Sequence, residues 1–266
     1  MSSLAPRFNA IKAYIVLLLL ILWTLLCLLI YGIAIVIPLV QAKGVIPFYH
    51  RGLCFFMGVK VECIGKPTQH IPTLFISNHV SYLDIPVLGS LMNGFFVAKS
   101  EIAHWPVINR LAKIQNTIFI ERRASKAKSQ IAILRETLKR GNCLILFPEG
   151  TSTNGAQVLP LKSSLFAAVE TDDVDILIQP VSVVYSQYKG EGMNQVVRDN
   201  FAWYADMPFG PHIFNMLGLG RVTAVVTFSE PIRLSDYSNR KACALAGGKI
   251  MRETFDDAFH ASGSTR

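Results

Sequence analysis

Charged residues are scarce in this 266-residue chain: 17% of positions are Asp, Glu, Lys or Arg, against the ~25% usual for soluble domains. That scarcity excludes a highly charged disordered chain, and so does the 51% share of apolar residues, which is ample to bury a core. Acids are scarcer than bases, 18 against 26, which leaves a formal net charge of +8 and a pI near 9.3. There are only five cysteines, an odd number with no C-x-x-C pair. They read as reduced small hydrophobes in a reducing compartment, not as a disulfide framework. His104 and His212 lack ligand-like spacing to a second His or Cys, so no metal site is expected. No G-x-S-x-G elbow occurs, which removes the signature of a serine nucleophile on an α/β sheet. Internal repeats and low-complexity tracts are lacking too.

The apolar excess is concentrated. From Ala13 to Val40 no residue is charged. A helix over that run would span ~42 Å, against a hydrocarbon core of ~30 Å. A secretory signal peptide has an apolar stretch of roughly 7 to 15 residues, about half of this one. The reading is therefore a retained membrane anchor over residues 1–45, either one tilted spanning helix or a re-entrant one broken near Gly32 or Pro38. Basic residues flank it on both sides (Arg7 and Lys12, then Lys43, Arg51 and Lys60), so charge leaves its orientation open. Residues 46–260 suit a single body, and the tail 261–266 reads as frayed. With an anchor present, the basic surface points to a membrane surface and phosphorylated ligands ahead of nucleic acid.

Within the body, helical and strand-like segments alternate. Val59 to Cys63 has period two, and Thr73–Ser77, Phe95–Ala98, Thr117–Ile120 and Leu144–Phe147 are near-continuous apolar runs. Ile176–Ile178 with Val181–Val184, then Arg221–Phe228, add strands. Helices are expected through Leu91, around 106–112, and over 125–140, 159–170 and 241–260. This pattern predicts an α/β fold with a largely parallel central sheet flanked by helices. Phe201 to Leu219 is rich in aromatics, Gly and Pro, and reads either as an interfacial segment or as a loop covering the core.

Two stretches carry chemistry. Asn78-His79-Val80-Ser81-Tyr82-Leu83-Asp84 follows a buried strand, at the edge where open α/β sheets place ligands. A carboxylate five residues beyond a histidine can fix the ring's tautomer and stabilise imidazolium, leaving the other nitrogen to take a proton from a hydroxyl. On spacing alone, His79 and Asp84 serve equally well in a helix cap and first turn. Phe147-Pro148-Glu149-Gly150-Thr151 follows a second buried strand. Pro148 ends pairing, Gly150 permits close backbone approach, and Glu149 puts a carboxylate at the sheet edge, though a plain turn explains the stretch as well.

Taken together and in order with Phe119-Ile120-Glu121-Arg122 and Ile178-Gln179-Pro180-Val181, these segments resemble the four motifs of the PlsC-like glycerolipid and lysophospholipid acyltransferases, over roughly residues 50 to 230. The resemblance implies a glycerol-3-phosphate acyltransferase-like fold over an acyltransferase domain at 46–260. It implies His79 as general base and Asp84 as its orienting carboxylate. Asn78, Lys99, Arg122, Phe147, Pro148, Glu149, Gly150 and Thr151 become acceptor-binding positions, with Lys99 and Arg122 facing a phosphate. The acyl donor is a thioester, acyl-CoA or acyl-carrier protein. No cofactor is expected beyond it, and no nucleic acid partner. The implied location is a bacterial inner membrane, with the domain on the cytoplasmic side. The implied reaction makes phosphatidate from 1-acyl-glycerol-3-phosphate.

One position departs from the pattern. Many phosphatidate-forming members have an arginine where this chain has Ser152. The change weakens the case for lysophosphatidate, which stays the first choice of acceptor, and is compatible with another headgroup such as that of lyso-ornithine lipid; Trp203 to Met207 with Pro211-His212 resembles that branch. Between Arg122 and Arg140 seven bases face one acid, Glu136, which suits anionic lipid, a donor's phosphates or simply a solvated helix face. A non-catalytic anionic-lipid-binding module would need only this segment and the anchor, and a hydrolase would need only the base. Neither accounts for all four motifs.

Overall fold

A computed structural model describes residues 6–37, 42–70, 72–121 and 123–265. The chain runs α1 (Ala10–Val36), α2 (Ala42–Met57), β1 (Val59–Ile64), β2 (Thr73–Ser77), α3 (Asp84–Leu91), β3 (Phe95–Lys99), α4 (Ile108–Ile114), β4 (Ile118–Ile120), α5 (Ala127–Lys139), β5 (Leu144–Leu146), β6 (Leu177–Tyr188), β7 (Glu191–Gly192), α6 (Gln195–Arg198), α7 (Phe209–Leu219), β8 (Val222–Phe228) and α8 (Arg240–Ala261). The strands form one sheet in the order β1-β8-β6-β2-β5-β3-β4. β6, β2, β5, β3 and β4 are mutually parallel. β8 turns antiparallel to β6, and β1 lies parallel to β8. The expected α/β architecture with a largely parallel sheet is present, and one edge makes it mixed.

The central strands are apolar on both faces because helices cover both. In β2, Phe75 packs with α2, α3 and α7, while Leu74 and Ile76 pack with α5 and α8. Adjacent Cβ atoms point to opposite faces of a sheet, so one five-residue run feeds two cores. The parallel strands all release their carboxyl ends on one edge, and the segments after β2, β3, β4 and β5 meet there.

α1 is one continuous helix of 27 residues, long and apolar enough to cross a membrane by length and composition. It does not break at Gly32; Pro38 lies outside the described residues. It is also more than an appendage. The Trp23 indole N–H donates to the Tyr49 carbonyl of α2 (3.0 Å), and Trp23 stacks at an angle on Phe48 and Phe56. Gly52 makes room for the indole, since a Cβ there would overlap its ring. Phe8 and Tyr14 pack on Phe214 of α7, which gives the aromatic segment a partner within the protein. A boundary at 45/46 thus falls inside α2, a helix that joins α1 to the body.

Two other expectations change. The predicted helix over 159–170 is extended at first and then a 3₁₀ helix at Ser163–Val169: the Leu159 amide donates to the Glu149 carboxylate (2.9 Å) and the Lys162 amide to the Pro148 carbonyl (2.9 Å), which lays the segment along the turn after β5. The tail is not frayed: Ser264 Oγ donates to the Ser186 carbonyl (2.8 Å), the Thr265 amide donates to the Met193 carbonyl (3.0 Å), and the buried Arg198 guanidinium donates to the Thr265 carbonyl (3.0 Å). Polar residues that find buried backbone partners stay ordered at a terminus.

Candidate active site

The turn after β2 folds around Asp84. Its Oδ2 accepts from the Val80 amide (2.7 Å), the Ser81 amide (3.0 Å) and His79 Nδ1 (2.7 Å). An oxygen already accepting two amides assigns Nδ1 as the third donor. That leaves Nε2 as the ring nitrogen able to accept a proton. Asp84 opens α3 in sequence, yet its side chain reaches back instead of capping that helix, and it is fully buried. Its other oxygen accepts from the Tyr185 hydroxyl of β6 (2.8 Å).

The histidine is held on every side. Its amide donates to Glu149 Oε1 (2.8 Å), and its carbonyl accepts from the Thr153 amide (2.9 Å). Its ring stacks on Phe147, centroids 4.1 Å apart and planes 19° from parallel. Asn78 exchanges two hydrogen bonds with Val183, donating to the carbonyl (2.9 Å) and accepting from the amide (2.7 Å). A side-chain amide thus substitutes for a stretch of strand pairing and ties the turn to β6. The Val80 carbonyl accepts from the Trp203 amide (2.9 Å), so the aromatic segment is pinned to the same turn.

His79 borders a cleft of about 1380 Å³, larger than the ~300–1,000 Å³ of sites for drug-sized ligands. One wall is apolar and comes from the helices, with Leu20, Leu25 and Leu28 of α1 and Leu53 of α2. The other carries Lys99, Glu121, Arg123, Ser152 and Lys162. Gly150 has φ +73°, a left-handed backbone that favours glycine, and its open face lies against the Lys162 side chain.

Of the residues singled out in the sequence, His79, Lys99, Phe147 and Gly150 border the cleft. Asp84, Asn78, Pro148 and Glu149 are buried behind it. Asn78 and Glu149 therefore act on the backbone of the turn, not on a ligand. Glu149 is 4% exposed, and both its oxygens are engaged by the His79 and Leu159 amides. Burial pushes its carboxyl up to about 7; the two amides pull the other way, and the charge of Asp84 adds to the rise. Thr151 is exposed and away from the cleft lining. Arg122 lies outside the described residues, between Glu121 and Arg123, both of which line the cleft. Sequence reasoning missed Tyr185, Thr153 and the Leu159 amide. None of the three left a local signal: the Tyr185 hydroxyl is one of several buried in β6, beside those of Ser182, Ser186 and Tyr188.

Comparison with known proteins agrees with this geometry. The Acyltransferase family model matches residues 59–184. A lyso-ornithine lipid O-acyltransferase from Rhodobacter capsulatus is 39% identical over 79% of this chain and 75% of its own. A 1-acyl-sn-glycerol-3-phosphate acyltransferase from Neisseria meningitidis serogroup B is 29% identical over 67% and 68%. The crystal structure of the 1-acyl-sn-glycerophosphate (LPA) acyltransferase PlsC from Thermotoga maritima shares the fold, with a TM-score of 0.65 at 19% identity over 92% of this chain and 97% of that one. A histidine–carboxylate pair at a sheet edge, the matched family model and a relative similar over most of its length converge: this chain belongs to the PlsC-like acyltransferase family.

Proposed function

We propose that the chain transfers a fatty acyl group from an acyl thioester to the free hydroxyl of a lysolipid at a membrane surface, with lyso-ornithine lipid as the acceptor. The observation that carries the chemistry is the His79–Asp84 pair at the mouth of an apolar cleft. The acceptor hydroxyl attacks the thioester carbonyl carbon while Nε2 takes its proton. Asp84 stabilises the imidazolium that forms. The tetrahedral intermediate then expels the thiolate, which takes the proton back from His79, leaving an ester and a free thiol. Phe147 and the helix-borne leucines exclude water, which favours transfer over hydrolysis. α1 anchors the chain to the bilayer and lines the cleft, so the acyl chains lie against it. The basic segment through α5 faces the anionic surface or the donor's phosphates.

The acceptor assignment rests on two supports. The relative with greater identity over more of the chain acts, by its name, on lyso-ornithine lipid. Ser152, on the cleft, supplies no cation at the position where the family pattern in many phosphatidate-forming members has arginine. The sequence reading puts lysophosphatidate first; the higher identity to the lyso-ornithine lipid relative supports the opposite order. Lysophosphatidate stays as the second reading because Lys99, Arg123 and Lys162 line the same cleft.

The test offers purified protein in detergent both acyl-CoA and acyl-carrier protein, with lyso-ornithine lipid and lysophosphatidate in parallel. Product from lyso-ornithine lipid that His79→Ala lowers at least ~100-fold is expected, since positioned general bases contribute about 10²- to 10⁴-fold. Faster His79-dependent phosphatidate formation overturns the acceptor assignment alone. Undiminished transfer by His79→Ala overturns the mechanism.

A further inference from the structure

We propose that Tyr185 is a positioning residue for acyl transfer: its hydroxyl holds the second oxygen of Asp84, and through Asp84 sets the alignment and proton uptake of His79. The inference rests on the reading of His79 as the base. Asp84 Oδ2 carries three donors, His79 Nδ1 and the Val80 and Ser81 amides. Among the described residues, the hydrogen bond recorded for Oδ1 is the one from Tyr185, at 2.8 Å.

Tyr185 sits toward the carboxyl end of β6, 2% exposed, where a phenylalanine would fill the same core. A hydroxyl there is costly unless bonded, so its presence calls for a partner, and that partner is Asp84. The surroundings fix the contact. Two residues before Tyr185, Val183 is clamped by Asn78 of the His79 turn. Just after Tyr185, the pairing of β6 with β8 slips by one residue. Such irregularities re-aim side chains beside active sites. Burial first, and then the charge of Asp84, hold the phenol well above its ordinary value, so the group remains a neutral donor. The other titratable groups that act on this cluster are Cys54 from α2, Tyr82 from the turn and Glu149 from the segment after β5.

A donor to a carboxylate stabilises the state in which the His79–Asp84 pair is most negative. Removing it makes protonation of the pair easier, whichever group carries the proton. Tyr185→Phe is therefore expected to lower kcat about 10-fold with acceptor KM unchanged, and to move the acid limb of the pH–rate profile upward by roughly half to one pH unit. Tyr185→3-fluorotyrosine keeps the shape and the hydroxyl but donates more strongly, so its acid limb moves down. If Tyr185→Phe fails to fold, the fluorinated variant alone decides. A lower rate with an unmoved limb in both variants would show that Tyr185 only packs, and overturns the proposal. Wild-type behaviour in both does the same. His79→Ala is run alongside: if it is active, the base reading itself has failed, and if it is inactive while the Tyr185 variants match wild type, only this inference has.

Discussion

Glu149 shows how one residue type serves a purpose that its motif does not reveal. Its place after β5 suggested a ligand contact, whereas the carboxylate ties the His79 turn to the segment leading into the 3₁₀ helix. The ordinary value is 4.5 and the folded protein holds it near 7. Between those values the native state keeps a proton that the unfolded chain has released. Stability from this group is thus complete below about 4.5 and declines as pH rises through about 7, by about 3 kcal/mol in all. Glu149→Gln mimics the protonated form and should flatten that decline, which thermal melts from pH 5 to 8 would read directly. A parallel decline in both proteins would place the titration elsewhere. At Ser152 the expectation concerns specificity. Ser152→Arg adds a charge-assisted donor to the cleft wall, worth roughly 1.5–3 kcal/mol when paired. The ratio of lysophosphatidate to lyso-ornithine lipid turnover should rise about 10-fold or more, and a competition assay with both acceptors measures it.

At the scale of elements, the sequence was legible wherever burial was uniform. β2, β3 and β5 announced themselves as short apolar runs, and α5 and α8 as amphipathic or capped segments. It was less legible where a long-range polar contact overrode local preference. The segment expected as a helix over 159–170 is extended at its start, where the Leu159 and Lys162 amides reach Glu149 and the Pro148 carbonyl. Tyr185 was hidden because β6 buries several hydroxyls, those of Ser182, Ser186 and Tyr188 among them, and nothing local marks one of them as the partner of Asp84. The His79–Asp84 pair was readable because both partners share one turn, whereas the Asn78 and Tyr185 contacts span about a hundred residues. The α1–α2 contact offers a test at this scale. Gly52→Ala should lower the melting midpoint through a loss of about 1–3 kcal/mol, because its Cβ would overlap the Trp23 ring and force the indole off the Tyr49 carbonyl. Gly44→Ala, with open space around it in the same helix, should raise the midpoint slightly.

For the whole molecule, the docked tail and the α1 wall imply that both ends of the chain support the body. Deleting residues 262–266 removes Ser264 and a carbonyl that receives the buried Arg198. The expected loss is about 1–3 kcal/mol, seen as a lower midpoint with secondary structure retained. An unchanged midpoint would mean that the tail rests on the body without holding it. The α1 wall has a kinetic counterpart. On the proposed reading α1 lies in the bilayer, and a cleft that shares that helix would take its lipids sideways, from a two-dimensional pool. Its velocity should then follow the mole fraction of acceptor in the surface and not the amount per litre: adding inert detergent or lipid at constant total acceptor would slow the reaction, as surface dilution, with the protein itself unaltered.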